Sequence, residues 1–121
     1  MEAEIHPVDI SDFDKTKYVI RKVIAENKRI DVLVNNAGIW RDGSVDLPVD
    51  EYKNVLDVNV VAPYVILQEV IPQMKKQKSG YIFNVSSRAG HIRFPDFRHI
   101  RFLKVCFQRN ERIDLPRTCR V

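Results

Sequence analysis

Residues 30–38 read Ile30-Asp31-Val32-Leu33-Val34-Asn35-Asn36-Ala37-Gly38. Ile30–Asn35 is a short run rich in β-branched residues, the pattern of a strand buried on both faces. Asn36, Ala37 and Gly38 end it. A polar loop, IWRDGSVDLP, follows. Pro48 suits the first turn of a helix, and Asp50 and Glu51 favour its positive end. Residues 49–76 then place Tyr52, Val55, Leu56, Asn59, Ala62, Ile66, Val70 and Met74 along one stripe. Lys75, Lys76 and Lys78 match the negative end of that helix, before Gly80. Residues 81–86, YIFNVS, read as a second buried strand.

Working back from residue 30, residues 13–28 carry Phe13, Ile20, Val23 and Ile24 at helical spacing. Ser11 or Asp12 can cap that helix through its side-chain oxygen. Residues 5–10, IHPVDI, read as the end of a short strand. Strand, helix, strand, helix, strand predicts an α/β fold with a parallel sheet.

The chain is 121 residues long, the size of one small domain. With 45% hydrophobic and 30% charged residues it suits a folded globular protein rather than a disordered one. No run approaches ~18 uninterrupted apolar residues, so no membrane span is expected. The acidic start MEAEIHPVD lacks the apolar centre of a secretory signal. Two cysteines, Cys106 and Cys119, are too few for a disulfide scaffold. A cytoplasmic location is the expectation. His6, His91 and His99 have no ligand spacing along the chain, and no metal site is expected.

Charge divides unevenly. Residues 1–97 hold 13 Lys+Arg and 14 Asp+Glu, a net of −1, whereas residues 98–121 hold 7 and 2, a net of +5. Both cysteines fall in the second part and all four glycines in the first. The two parts therefore read as having different origins.

Three motifs, in order, resemble the short-chain dehydrogenase/reductase family: Asn35-Asn36-Ala37-Gly38 after a buried strand, Asn59 within LDVNVVAP, and GYIFNVSSRAG at residues 80–90. The resemblance covers roughly residues 5–97. It implies a partial Rossmann-like, doubly wound parallel sheet that lacks the family's first two strands and its C-terminal part. It further implies descent from an NAD- or NADP-dependent oxidoreductase acting on a small alcohol or carbonyl. Carried over by motif, Asn35, Asn36, Ala37 and Gly38 line the cofactor cleft and steady the sheet. Asp9 and Ile10 lie near the adenine ring, Asn59 holds a catalytic water, and Ser87 orients the substrate oxygen. Taken without the resemblance, Asn59 on a helix stripe reads as a satisfied core amide, the commoner case for a lone Asn, and an Asn-Gly-rich strand end is usually only a turn.

The same resemblance exposes departures. The family binds its dinucleotide with a Gly-rich turn after the first strand, and no glycine precedes Gly38 here. The family's catalytic tyrosine stands thirteen residues after the substrate-orienting serine, and counting from Ser87 reaches Ile100. Lys104 does stand at the position of the partner lysine. That lysine matters because a phenol near pKa ~10 is a poor base at neutral pH without a nearby cation.

One permitted back-translation of residues 98 onward, shifted by one base, reads GIYGSSKFAFKGMNE. This restores a tyrosine at position 100 and a lysine at position 104. Residues 98–121 are thus expected to be an out-of-frame basic tail, not a domain and not a nucleic-acid arm. No bound NAD or NADP is expected for the chain as it stands. Association through the helix at residues 49–76, with itself or with an intact paralogue, is the alternative reading.

Overall fold

The computed structural model describes residues 3–41, 46–86 and 111–112. Ser87, Ile100, Lys104 and the rest of the tail lie outside the described residues. Helix α1 spans Phe13–Asn27 and strand β1 spans Val32–Asn35. Helix α2, Val49–Leu56, runs through a π-helical turn at Asp57–Val61 into α3, Ala62–Gln77. Strand β2 spans Tyr81–Asn84 and β3 the two residues Glu111–Arg112. The sheet order is β1-β2-β3.

The predicted elements form, with one exception. Residues 5–10 are irregular rather than a strand. A strand is held by its neighbours' hydrogen bonds, and among the described residues none lies beside this segment. Asp9 instead builds a turn into α1. Its carbonyl accepts from Asp12 N–H at 3.0 Å, and Asp12 then caps the helix by accepting from Lys15 N–H at 3.1 Å.

Strands β1 and β2 are parallel in the register Val32↔Tyr81, Leu33↔Ile82, Val34↔Phe83 and Asn35↔Asn84. Alternation sends Leu33 and Ile82 to one face and Val32, Val34, Tyr81 and Phe83 to the other. The first face carries the core. Val70, Met74 and Ile82 are buried together, with Ile20, Ile30, Leu33, Ile66, Leu67 and Ile71 packed around them. The second face is only half covered: Val32 and Val34 keep about half their surface exposed, as does Val85 just beyond β2. On its other side β2 pairs antiparallel with β3, Tyr81↔Arg112 and Ile82↔Glu111, so that β1 lies on an edge. The free N–H and C=O groups of an edge strand accept even a two-residue partner.

The continuous helix Val49–Gln77 is long and apolar enough, by length and composition alone, to cross a bilayer. Here its inward residues Val55, Val58, Ala62, Val65, Val70 and Met74 are buried, as befits the crossover helix of an α/β unit. Neither α1 nor α3 ends on glycine. Lys28 and Lys78 take the left-handed cap conformation at φ 60° and 57°. Gly80 has another use: a Cβ there would stand 2.4 Å from Met74 Sδ and 3.1 Å from Met74 Cβ. The α3–β2 connection therefore passes so close over the fully buried Met74 that any side chain at Gly80 would force the methionine to move.

Helix α1 is tied to α3 by a two-pronged ion pair. Arg21 Nε donates to Glu69 Oε2 at 2.8 Å and Arg21 Nη2 to Glu69 Oε1 at 2.7 Å. The Arg21 guanidinium holds the Glu69 carboxyl below the ordinary glutamate range.

Two outcomes follow from this packing. Gly80→Ala should lower stability by about 1–3 kcal/mol in urea unfolding, because the fully buried Met74 would have to repack. The Arg21–Glu69 contribution should be complete above the unfolded glutamate pKa of about 4.3 and vanish as pH falls through the depressed folded value. Arg21→Gln should therefore destabilise at pH 7, and its unfolding curve should merge with that of the parent protein at about pH 2.

Candidate functional site

The C-terminal ends of parallel strands are where open α/β sheets place their ligands. Here both strands end on asparagine, VLVN and YIFN, and the register sets Asn35 opposite Asn84. Asn35 Nδ2 donates to Asn84 Oδ1 at 2.9 Å. Val85 N–H donates to the Asn35 carbonyl at 2.9 Å, carrying the ladder one residue beyond the strands. Asn36, Ala37 and Gly38 follow as an exposed loop.

The loop is fixed from the helix. Asn59 Oδ1 accepts from Ile39 N–H at 2.9 Å, and Asn59 Nδ2 donates to the Ile39 carbonyl at 2.8 Å. One carboxamide thus satisfies both backbone groups of a single residue, as a neighbouring strand would. Asn59 sits in the π turn Asp57–Val61, where Ala62 N–H reaches back to the Asp57 carbonyl. A π turn inserts an extra residue into the helical path and recurs at functional sites. The periodic sequence pattern does not reveal it, because apolar residues continue on both sides.

A second clasp holds the opposite end of β1. Gln77 Oε1 accepts from Ile30 N–H at 3.2 Å, and Gln77 Nε2 donates to the Ile30 carbonyl and to that of Ser79. Gln73 Nε2 donates to the Lys28 carbonyl at 2.7 Å. The α1–β1 connection is therefore stitched to the end of α3 by two glutamines that sequence reading did not single out. A Gln pair spaced i, i+4 on one helix face was the available signal.

Among the sequence-predicted site residues, Asn35 through Gly38 and Asn59 come together around the start of this loop. Asp9 and Ile10 occupy the turn before α1. The Asp9 carboxylate accepts from Ser11 N–H at 3.0 Å and Ser11 Oγ at 2.7 Å, bonds that hold its carboxyl below the usual range. Ser87, the position of Ile100 and Lys104 lie outside the described residues. An open groove of about 340 Å³ on the α1–α3 seam, lined by Arg21, Ile24, Glu69, Pro72 and Gln73, involves none of these positions.

A dinucleotide needs two things from this fold: a cleft wall beyond the strands and a helix N-terminus for its diphosphate. The loop from Asn36 to Gly38 suits the first. The described helix N-termini do not suit the second. At α1 the Asp12 carboxylate already occupies the first-turn amides, with Asp9 and Asp14 close in sequence. At α2 Asp50 and Glu51 stand in the first turn. Carboxylates there repel a diphosphate.

The chain belongs to the short-chain dehydrogenase family, whose profile matches residues 1–99. It is similar to the 3-oxoacyl-(acyl-carrier-protein) reductase FabG of Thermotoga maritima, 43% identical over 84 residues. That match covers 69% of this chain and 34% of the relative. The corresponding FabG of Staphylococcus aureus is 38% identical over 88 residues, covering 72% and 36%. The chain thus spans about a third of the length of these curated relatives. Among solved structures, a short-chain dehydrogenase from Streptomyces avermitilis superposes with a TM-score of 0.80 at 31% identity. It is matched over 85% of this chain and 38% of its own. A metagenomic short-chain oxidoreductase in complex with NADP gives 0.79 at 36% identity, over 85% and 48%. The fold is accordingly a partial Rossmann fold of this family.

Asn59→Asp keeps an acceptor for Ile39 N–H but turns an oxygen towards the Ile39 carbonyl. It should cost about 1–3 kcal/mol of stability. Amide exchange at the loop residues around Ile39 should accelerate, while that of β2 moves only with global stability.

Proposed function

We propose that this chain carries the strand-end part of an NAD(P)-dependent oxidoreductase site for a small alcohol or carbonyl, and that it does not turn over in its present form. The observation that carries the first half is the Asn59 clasp on Ile39 beside the Asn35–Asn84 pair. It makes a rigid wall at the C-terminal end of the sheet, where the family's hydride chemistry belongs. The second half rests on two features of the chain itself. Ile100 stands where the family has its proton-transferring tyrosine, and an alkyl side chain neither gives nor takes a proton. The described helix N-termini carry carboxylates where a diphosphate would need free amides.

In this reading Asn35, Asn36, Ala37 and Gly38 form the cleft wall. Asn59 positions that wall, and Ser87 orients the substrate oxygen. Lys104 belongs to a tail read out of frame and has no phenol to act on. A docking role for residues 49–76 would call for an exposed apolar stripe. Val49 and Tyr64 on this helix are exposed, but the stripe from Tyr52 to Met74 is buried or half-buried. The oxidoreductase-derived reading is therefore preferred over a non-catalytic interaction module.

Three versions of the protein test this: the chain itself, the chain with residues 98–121 replaced by the shifted-frame sequence, and a rebuilt protein. The rebuilt protein also carries two strands with a Gly-rich turn ahead of residue 1. Absorbance at the reduced-nicotinamide band, with a panel of small carbonyls, should show turnover for the rebuilt protein alone. Positioning two reactants is worth up to ~7–11 kcal/mol, so a proton relay without a docked cofactor has nothing to act on. Micromolar NADP binding or turnover by either of the first two versions would overturn the proposal of inactivity. Silence of a folded rebuilt protein that binds NADP would overturn the site assignment.

A further inference from the structure

Folding brings Glu26 beside Glu4 and His6, so that three side chains of metal-ligating type meet. Pro7 biases the residue before it, His6, towards extended backbone. In an extended segment residues two apart leave on the same side, so Glu4 and His6 point together. Ile5 between them points to solvent, 85% exposed. The surface they face includes the last turn of α1, which presents Glu26. One ligand atom each from Glu4, His6 and Glu26 lies within 4.8 Å of the others, and His6 Nε2 stands 3.1 Å from Glu4 Oε1. The imidazole is largely covered, with 20% of its side chain exposed.

The electrostatics of the spot favour a cation. Glu26 is in the last turn of α1, at the negative end of the helix, and that turn has no basic residue. Lys22 Nζ stands 3.8 Å from Glu26 Oε1, an exposed ion pair too long for a hydrogen bond that a bound cation would displace. Two carboxylates and a helix C-terminus thus converge on one nitrogen donor.

We propose that Glu4, His6 and Glu26 form a binding site for a zinc-class divalent cation, which clips the N-terminal segment onto the end of α1. Mixed imidazole nitrogen and carboxylate oxygen suits zinc, whereas calcium and magnesium prefer all-oxygen shells. Bonds of about 2.0–2.2 Å set neighbouring donors of a tetrahedron roughly 3.4 Å apart. The Glu4–His6 pair, at 3.1 Å, needs only a few tenths of an ångström more, and the long Glu26 side chain closes the remainder by a rotamer adjustment. Two carboxylates and a neutral imidazole balance the charge of the ion, and water completes the coordination. The site is structural and independent of the oxidoreductase reading, since none of its residues belongs to the strand-end wall.

The test is a zinc chloride titration of the full chain carrying Cys106→Ser and Cys119→Ser, which removes the thiols as competing ligands. The side-chain nitrogen resonances of His6 are followed, with circular dichroism confirming the helices throughout. They should shift and saturate at one zinc per chain. Glu26→Gln and, separately, Glu4→Gln should each weaken binding about tenfold or more. Glu4 lies in irregular backbone and Glu26 on the surface, so neither change threatens the fold. A His6 response that is absent at millimolar zinc, or that is unaltered in both variants, would sink the proposal.

Discussion

A single side-chain carboxamide that faces both the N–H and the C=O of one residue does the work of a missing strand neighbour. Two such clasps hold β1. Gln77 grips Ile30 before the strand and Asn59 grips Ile39 beyond it. The strand itself is only four residues long and pairs on one side. A short edge strand has few ladder bonds of its own, and its ends would otherwise fray into water. Both clasps come from the same continuous helix, Val49–Gln77, so the length of that helix sets the distance between them. The helix therefore acts as a ruler for β1, and the site loop inherits its position from the helix as much as from the sheet.

This arrangement explains why the core lies where it does. Met74 and Val70 fill the space under Ile82, and Gly80 must be bare to let the chain pass Met74. Every one of these contacts is on one side of the sheet. The other side shows Val32, Val34, Tyr81 and Phe83 to solvent. Strands paired in parallel are ordinarily covered on both faces, and their apolar composition on both faces reflects that. The sequence of β1 and β2 is thus written for a second layer, while the described residues supply one.

Much of this was legible in the residues alone. Periodicity located α1, the long crossover helix and both parallel strands, because apolar spacing follows directly from which face is buried. The motifs singled out Asn35 to Gly38 and Asn59, and the fold ties Asn59 to Ile39 just beyond that stretch. Asn59 was open to two readings, and its two bonds to Ile39 make it a satisfied amide that also positions the site loop. What stayed hidden depends on distances that no local pattern encodes. The π turn leaves the hydrophobic stripe intact. The clasps of Gln73 and Gln77 join residues more than forty positions apart. Residues 5–10 have the composition of a strand, but a strand exists only with a partner, and composition does not report partners. The clustering of Glu26 with His6 likewise arises only once α1 has folded back along the N-terminal segment.

The acidic helix starts carry the last step. A carboxylate at a helix N-terminus stabilises the helix by satisfying its first amides and opposing its dipole. The same carboxylate excludes a bound phosphate, because both compete for one set of N–H groups and repel each other. Asp12 at α1 and Asp50 with Glu51 at α2 therefore settle those two termini in favour of stability rather than anion binding. In a doubly wound fold only a terminus facing the cofactor crevice needs to stay open, and there the residue that clears it is glycine. With acids at its described helix starts, the chain has invested those positions in folding. The wall built by Asn35, Asn84 and Asn59 is a different kind of feature, since carboxamides carry no net charge and tolerate a phosphate or a ring nearby. The described helix starts thus hold negative charge, while the carboxamide bonds at the strand ends are neutral and self-satisfied.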